Sequence, residues 1–432
     1  MKVNVTAVFI ASLAGLLFGF DTAVISGVTS ALRAVYHLSD ANVGLAVSAG
    51  LWGTFLGALF MGRLGDAIGG RDALRLIALM YVLATLGSAL SPGLWPFVGC
   101  RFVLGVAIGG SSVLAPVYIS EIVPAGRRGF LVGLFQFNIV FGILLAYLSN
   151  YLVGQMAPAA DAWRWKLGMA AAPSALFFAL LFLIGQSPRW LVAKGRIDEA
   201  VAGLKKLGVA DTAAEIAGFQ RGDAGQGKLS LARHGKPILF AVLLALFNQF
   251  TGINAILYYL NDIFAAAGFS SVSADQQSIA VGGANLLFTL VGLTLIDRIG
   301  RKPLLTVGAI GCALALGGVA VIMATGLGRA YLLWLLILFI ASFAMSQGAV
   351  IWVYISEIFP TPVRASGQSL GAGTHWIANA AIAWVFPIIA TQTKALPFVV
   401  FALITLAQAF IVPRFFPETR GVELEDMDKA VG

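Results

Sequence analysis

The chain alternates long apolar runs with short polar breaks, and the runs are of membrane-crossing length. A bilayer core about 30 Å thick needs roughly 20 helical residues to span it. Twelve stretches fit, at 6–27, 42–64, 73–91, 96–119, 130–153 and 166–185, then 237–264, 277–297, 303–325, 331–355, 366–391 and 395–416. Backbone polar groups in hydrocarbon must be bonded within the protein, so these runs are predicted to be helices. One polar stretch of any size interrupts them, 186–236. Within it, Ser187-Pro188 has the form of an N-cap followed by proline at the first helical position. Ile197 to Leu207 has amphipathic spacing and is stopped by Gly208, and Asp211 to Phe219 could form another helix. The first apolar run carries Asp21 and no cleavage pattern after it, so it reads as a retained span.

Composition agrees with this class. Apolar residues make up 59% of the chain and charged residues 11%, against about 25% charged in soluble domains. The formal net charge of +8 is therefore read by position. Arg63, Arg71, Arg127, Arg301, Lys302 and Arg364 fall in loops on one side, whereas the other side holds few basic residues, such as Arg33, Arg164, Arg329 and Lys394. The positive-inside rule puts the first side and both termini in the cytoplasm. The expected organisation is an all-α membrane protein of two six-helix bundles. The N-terminal bundle is 1–185, a cytoplasmic helical linker 186–236, the C-terminal bundle 237–416 and a cytoplasmic tail 417–432.

Several function classes drop out. A solvated basic stripe with interleaved aromatics is missing, which argues against nucleic acid. Cys100 and Cys312 lie in apolar runs and read as small buried hydrophobes. No loop carries a phosphate-binding glycine motif, a metal-ligand spacing or a nucleophile–base set, so neither a cofactor nor an enzyme is expected.

The two halves repeat. Gly62-Arg63-Leu64-Gly65-Asp66-Ala67-Ile68-Gly69-Gly70-Arg71 matches Leu293 to Lys302, which ends Asp297-Arg298-Ile299-Gly300-Arg301-Lys302. Tyr118-Ile119-Ser120-Glu121-Ile122-Val123-Pro124 matches Tyr354-Ile355-Ser356-Glu357-Ile358-Phe359-Pro360, and Gly19-Phe20-Asp21 matches Gly252-Ile253-Asn254. Parallel repeats of six spans are a transporter signature, with the substrate site near the midplane between them. Asp21 is a carboxylate at membrane depth, a position that costs about 2.5–3.5 kcal/mol on insertion scales and marks a functional site. Gly15 and Gly19 share a helix face and let a neighbouring backbone approach. Arg101 is a second buried charge, in another run. The alternative for both is a static buried pair.

These motifs carry a family resemblance over nearly the whole chain. Gly19-Phe20-Asp21-Thr22-Ala23-Val24-Ile25-Ser26-Gly27, Ser187-Pro188-Arg189-Trp190-Leu191, Gln249-Phe250-Thr251-Gly252-Ile253-Asn254, Asp297-Arg298-Ile299-Gly300-Arg301-Lys302-Pro303 and Pro417-Glu418-Thr419-Arg420-Gly421 occur in order. The chain resembles the sugar porters of the major facilitator superfamily. The resemblance implies alternating-access transport of a monosaccharide by a protein of the cytoplasmic (inner) membrane that works as a monomer in the lipid bilayer. It also implies that Asp21 takes up a proton beside Arg101, which favours symport over a facilitative uniporter. A sugar sensor is the rival from another class.

A sugar site needs polar groups for hydroxyls and flat faces for C–H surfaces. Gln136, Asn248, Gln249, Asn254, Asn285 and Asn379 are polar at membrane depth, and Phe18, Trp352 and Trp376 offer faces. The alternative for each amide is a helix–helix hydrogen bond, and for each tryptophan, packing or an interfacial belt. By resemblance Gln136, Gln249, Asn254, Asn285, Trp352 and Trp376 contact sugar, and Tyr258 and Tyr259 form an outer gate. His375 is either a donor to a sugar hydroxyl, with a second titration, or a neutral histidine bonded inside the bundle. The resemblance also implies a cytoplasmic salt-bridge network of Asp66, Arg71, Glu121, Arg128, Asp297, Arg301, Glu357 and Arg364, with Glu418 docking the tail. The chain departs from the family pattern at Asn248, where glutamine is usual, at His375, where glutamine or asparagine is common, at Ala349, where proline is usual, and at Gly70, where a basic residue is usual.

Overall fold

The computed structural model describes residues 4–124, 128–158, 160–221, 229–360 and 363–420, which are helical with no strand among them. Eleven helices among the described residues are long and apolar enough to cross a membrane. The first five spans are Val5–Val24, Asp40–Ile68, Gly70–Ala89, Leu94–Ile122 and Arg128–Met156. The eighth, ninth, eleventh and twelfth are Ser271–Ile299, Arg301–Thr325, Arg364–Gln392 and Leu396–Phe415.

The other three are broken, against the expectation of single helices. The sixth, expected over 166–185, is two short helices, Ala162–Gly168 and Ala171–Leu180. Pro173 accounts for the break, because its ring clashes with the carbonyl four residues back, that of Met169, and it has no N–H to donate. The seventh, expected over 237–264, runs Leu231–Phe250, Ile253–Tyr258 and Leu260–Ala266. Gly252 turns the chain at φ 80°, where a side chain would be strained and its Cβ would lie 2.3 Å from the Phe401 ring. The tenth, expected over 331–355, divides into Leu332–Met345 and Gln347–Glu357.

The chain packs as two compact units, one of residues 1–22, 49–149 and 157–225, the other of 23–48, 150–156 and 226–432. The core of the first is built from the first, third, fourth, fifth and sixth spans around Ala11, Ile77, Leu104, Ile119, Phe135 and Phe177. That of the second gathers Leu244, Leu305, Val350, Tyr354, Phe359 and Val412. The linker forms helices Pro188–Ala193, Ile197–Lys206 and Thr212–Arg221 over their own small core of Leu191, Ala200, Leu204 and Ile216. Ser187 caps the first of them, its hydroxyl oxygen accepting the Trp190 N–H at 3.4 Å.

Glycine sets the spacing in the first unit. A Cβ on Gly19 would lie 1.8 Å from the Ile139 carbonyl oxygen, and one on Gly142 would lie 2.2 Å from that of Leu16, so the first and fifth spans touch backbone to backbone. The same holds for the second and fourth spans, where a Cβ on Gly105 would lie 1.8 Å from the Gly50 oxygen. With no hydrophobic drive between helices in lipid, such close packing is a main source of association. Gly19→Ala and Gly105→Ala are each expected to cost about 1–3 kcal/mol, seen as a lower melting temperature in detergent. Gly133→Ala, whose Cβ meets nothing within 4 Å, is the control that leaves it unchanged.

Candidate coupling and substrate site

The charged pair lies within the first unit. Asp21 is near the end of the first helix and Arg101 is on the fourth, and they are 7% and 4% exposed. Arg101 Nη1 donates to Asp21 Oδ1, while Arg101 Nε has no partner among the described residues. Arg101 packs on Gly50 of the second span, whose carbonyl oxygen abuts Gly105. Each charge compensates the other where neither is hydrated. Protonating the carboxyl would remove the attraction that holds the pair.

Asn248, Gln249 and Asn254 gather within the second unit, at the break of the seventh span. The turn at Gly252 brings Asn254 back over Gln249, and Asn254 Nδ2 donates to Gln249 Oε1 at 3.0 Å. Gln249 Nε2 donates to Asn248 Oδ1 at 3.0 Å and faces the His375 ring nitrogens at 3.1 and 3.2 Å. The Trp352 and Trp376 rings each lie 5.1 Å from His375, centroid to centroid. Asn379 Nδ2 donates to the Tyr258 hydroxyl at 3.2 Å. The result is a row of hydrogen-bonding amides flanked by two indoles. Asn285 is buried on the eighth span. Phe18 and Gln136 belong to the first unit, half-buried on the first and fifth spans.

Tyr259 sits at the second break of the seventh span. Its hydroxyl donates to the Ala383 carbonyl at 2.8 Å, and its ring stacks on Phe386 at 5.2 Å. Beside it, a cavity of about 360 Å³ is lined by Tyr259, Asp262, Arg33, Thr391, Lys394 and Phe398, among others. Sequence reasoning missed the contacts around it. Thr29 Oγ1 donates to Asp262 Oδ2 at 2.6 Å, Thr391 Oγ1 to Asp40 Oδ2 at 2.8 Å, and Trp384 Nε1 to the Ala41 carbonyl at 3.2 Å. These bonds tie Thr29 and the start of the second span to the seventh and eleventh.

Of the predicted charge network, the second unit brings together Arg301, Glu357 and Glu418. Arg301 grips Glu357 through two nitrogens at 2.8 and 3.1 Å. Glu418 accepts the backbone N–H groups of Arg301, Lys302 and Thr419, each at 3.0 Å, and so caps the ninth span. The first unit differs. Arg71 pairs with Asp72 beside it at 2.9 Å, and Asp72 also holds Arg75 at 2.9 Å. Glu121 is bonded by Ser187, and the Asp66 carbonyl accepts Trp190 Nε1 at 2.9 Å. The cap of the third span is Gln186, whose Oε1 accepts the Arg71 N–H at 3.0 Å. Arg364 begins the eleventh span. The side chains of Arg128 and Asp297 lie outside the described residues.

Two repeated halves, a span broken at membrane depth beside clustered amides, and a buried ion pair define a polytopic transporter of the major facilitator type. The chain belongs to the sugar transporter family, whose model, "Sugar (and other) transporter", matches residues 7–431. It is 34% identical to the D-xylose-proton symporter of Escherichia coli K12, over 97% of this chain and 94% of that protein. It is 35% identical to the glucose transport protein of Synechocystis sp., over 97% of this chain and 95% of that one. The solved inward-open conformation of the E. coli xylose transporter XylE superposes with a TM-score of 0.88 at 31% identity, covering 98% of both chains. The protein is thus a transporter rather than an enzyme.

Glu418 supplies a pH test. Burial works against its charge, but the backbone donors around it prevail and hold its carboxyl below the ordinary 4.5. A lowered pKa stabilises the fold above the ordinary value, and the gain is lost as pH falls through the folded value. Glu418→Gln keeps an acceptor and loses the charge, at an expected cost of about 0.5–1 kcal/mol near neutrality. Melting temperatures should differ at pH 7 and converge as pH falls below 4.5.

Proposed function

We propose that the chain is a proton-coupled monosaccharide symporter of a bacterial inner membrane, with both termini in the cytoplasm and one protomer as the working unit. The reading rests on the buried Asp21–Arg101 pair. A carrier of neutral sugar has no need of an ion pair at membrane depth, whereas a proton carrier needs a carboxylate that can be charged and then neutral. Burial favours the neutral form of a carboxyl and a guanidinium favours the charged one, so their separation sets the proton affinity. In this mechanism a proton neutralises Asp21 and releases Arg101, and the loaded carrier reorients. The membrane potential adds about 2.3 kcal/mol per charge per 100 mV, which drives accumulation.

In this reading Gln249, Asn254, Asn248, Asn285, Asn379 and Gln136 bond the sugar hydroxyls. Trp352, Trp376 and Phe18 cover its C–H faces, His375 positions Gln249, and Tyr258 and Tyr259 close over the site. The named relatives span a pentose and a hexose, so the substrate class is a pentose or hexose monosaccharide.

The test is purified protein in proteoliposomes under an inward proton gradient, offered labelled D-xylose, D-glucose, D-galactose, D-fructose and L-arabinose. One sugar should accumulate, and a protonophore should abolish its accumulation. Asp21→Asn should lose uphill uptake and keep sugar exchange, which also shows that it folds. Uphill uptake by that variant would sink the coupling role, and equilibration without accumulation by the wild type would make the protein a uniporter.

A further inference from the structure

The tenth span breaks at a single residue without a proline. Ser346, at φ −118° and ψ −91°, stands between Leu332–Met345 and Gln347–Glu357. Its hydroxyl donates to the Ser342 carbonyl at 2.6 Å, satisfying an acceptor at the end of the upper segment. The ninth span makes room for this. A Cβ on Gly308 would lie 1.8 Å from Ser346 Oγ, and one on Gly311 would lie 2.3 Å from Ser342 Oγ. The break is therefore built into the packing.

The first residue below the break is Gln347, and it reaches the twelfth span. Gln347 Nε2 donates to Gln408 Oε1 at 3.0 Å, and both side chains are 0% exposed. Their other ends, Gln347 Oε1 and Gln408 Nε2, are buried with no partner among the described residues. Exchanging oxygen and nitrogen does not help. Turning both amides gives back one bond, and turning one sets like against like. At this angle the pair makes one hydrogen bond and leaves an acceptor and a donor that would satisfy each other. Leaving such groups unmade is costly, whereas two apolar side chains in their place would be nearly neutral.

We propose that Gln347 and Gln408 are positioning residues that form a two-position catch for the break in the tenth span. The catch makes one hydrogen bond at the present angle and two when the lower segment turns. The segment it sets, Gln347–Glu357, carries Trp352 at the amide cluster and Glu357 on Arg301. The catch would thus move an indole at the sugar site and one end of the ion pair together. Of this inference, only the transport readout rests on the symporter reading.

The test compares the reconstituted full-length wild type with Gln408→Leu and with the double variant Gln347→Leu/Gln408→Leu. Hydrogen exchange over 343–357 needs no sugar and no gradient, so it fails or succeeds independently of the transport reading. The double variant should melt at or above the wild-type temperature, having no stranded amide. It should exchange about tenfold faster over 343–357, with the other spans unchanged. For the sugar the wild type takes up, its net-uptake kcat should fall about tenfold with KM in exchange unchanged. Gln408→Leu, which strands Gln347, should melt lower. A double variant with wild-type exchange over 343–357 and wild-type kcat would reduce the pair to packing. So would a double variant that melts lower and exchanges faster throughout.

Discussion

A charge inside a membrane must be met by another charge delivered from a different helix, and the first unit is arranged around that demand. Asp21 and Arg101 meet because the helices that carry them are seated closely on their neighbours. Gly19 and Gly142 bring the first and fifth spans into backbone contact, and Gly50 and Gly105 do the same for the second and fourth. A methyl group at Gly19, Gly142 or Gly105 would lie within 2.2 Å of a facing carbonyl oxygen and would move a helix by more than a hydrogen bond tolerates. The glycines therefore fix the geometry of the ion pair as well as the packing.

The second unit solves a different problem, that of gathering neutral polar side chains inside a bundle of apolar helices. It does so by breaking helices. At Gly252 the seventh span stops and restarts, which folds Asn254 back onto Gln249 and lines up Asn248, Gln249 and His375. A continuous helix would place residues 249 and 254 about 500° apart around the axis, on different faces. Unwound backbone at membrane depth is tolerated because it is buried in protein. The same device recurs at Ser346, whose N–H turns to the Phe343 carbonyl while its hydroxyl bonds the Ser342 carbonyl in its place.

How much of this was legible in the letters depended on the range of the interaction. Span order, the linker helices and the matching motifs were readable because each is local or repeated. The break at Gly252 sat in a recognisable motif, and that at Met169 had a visible cause in Pro173, yet hydropathy windows ran through both. Ser346 carried no such mark, because its break depends on Gly308 and Gly311 in another helix. Asp262 meeting Thr29, and Gln347 meeting Gln408, are pairings across 233 and 61 positions. The amides at 347 and 408 were visible as polar letters in apolar runs, but nothing local said that they would find each other.

The repeat also shows where the halves have parted. Tyr118 donates to the Gly185 carbonyl at 2.6 Å as Tyr354 does to that of Pro417 at 3.0 Å, and Gly69 and Gly300 turn the chain at φ 92° and 105° before matching helices. At the position of Arg301, however, the first half has Gly70, and Glu121 instead meets Ser187 and the charge of Arg189, both from the linker. At the position of the Glu418 cap it has Gln186, whose amide nitrogen faces Asp72 at 3.4 Å. A carboxylate at 186 would repel Asp72, so the neutral cap and the acidic neighbour require each other. The ion pair near the caps runs along one helix in the first unit, through Asp72 and Arg75, and crosses between helices in the second, through Arg301 and Glu357. Local pairs of this kind are worth a few tenths of a kcal/mol, while a cross-helix, partly buried pair ties two spans together. Among the described residues, the Asp21–Arg101 pair joins two helices of the first unit and Arg301–Glu357 two of the second.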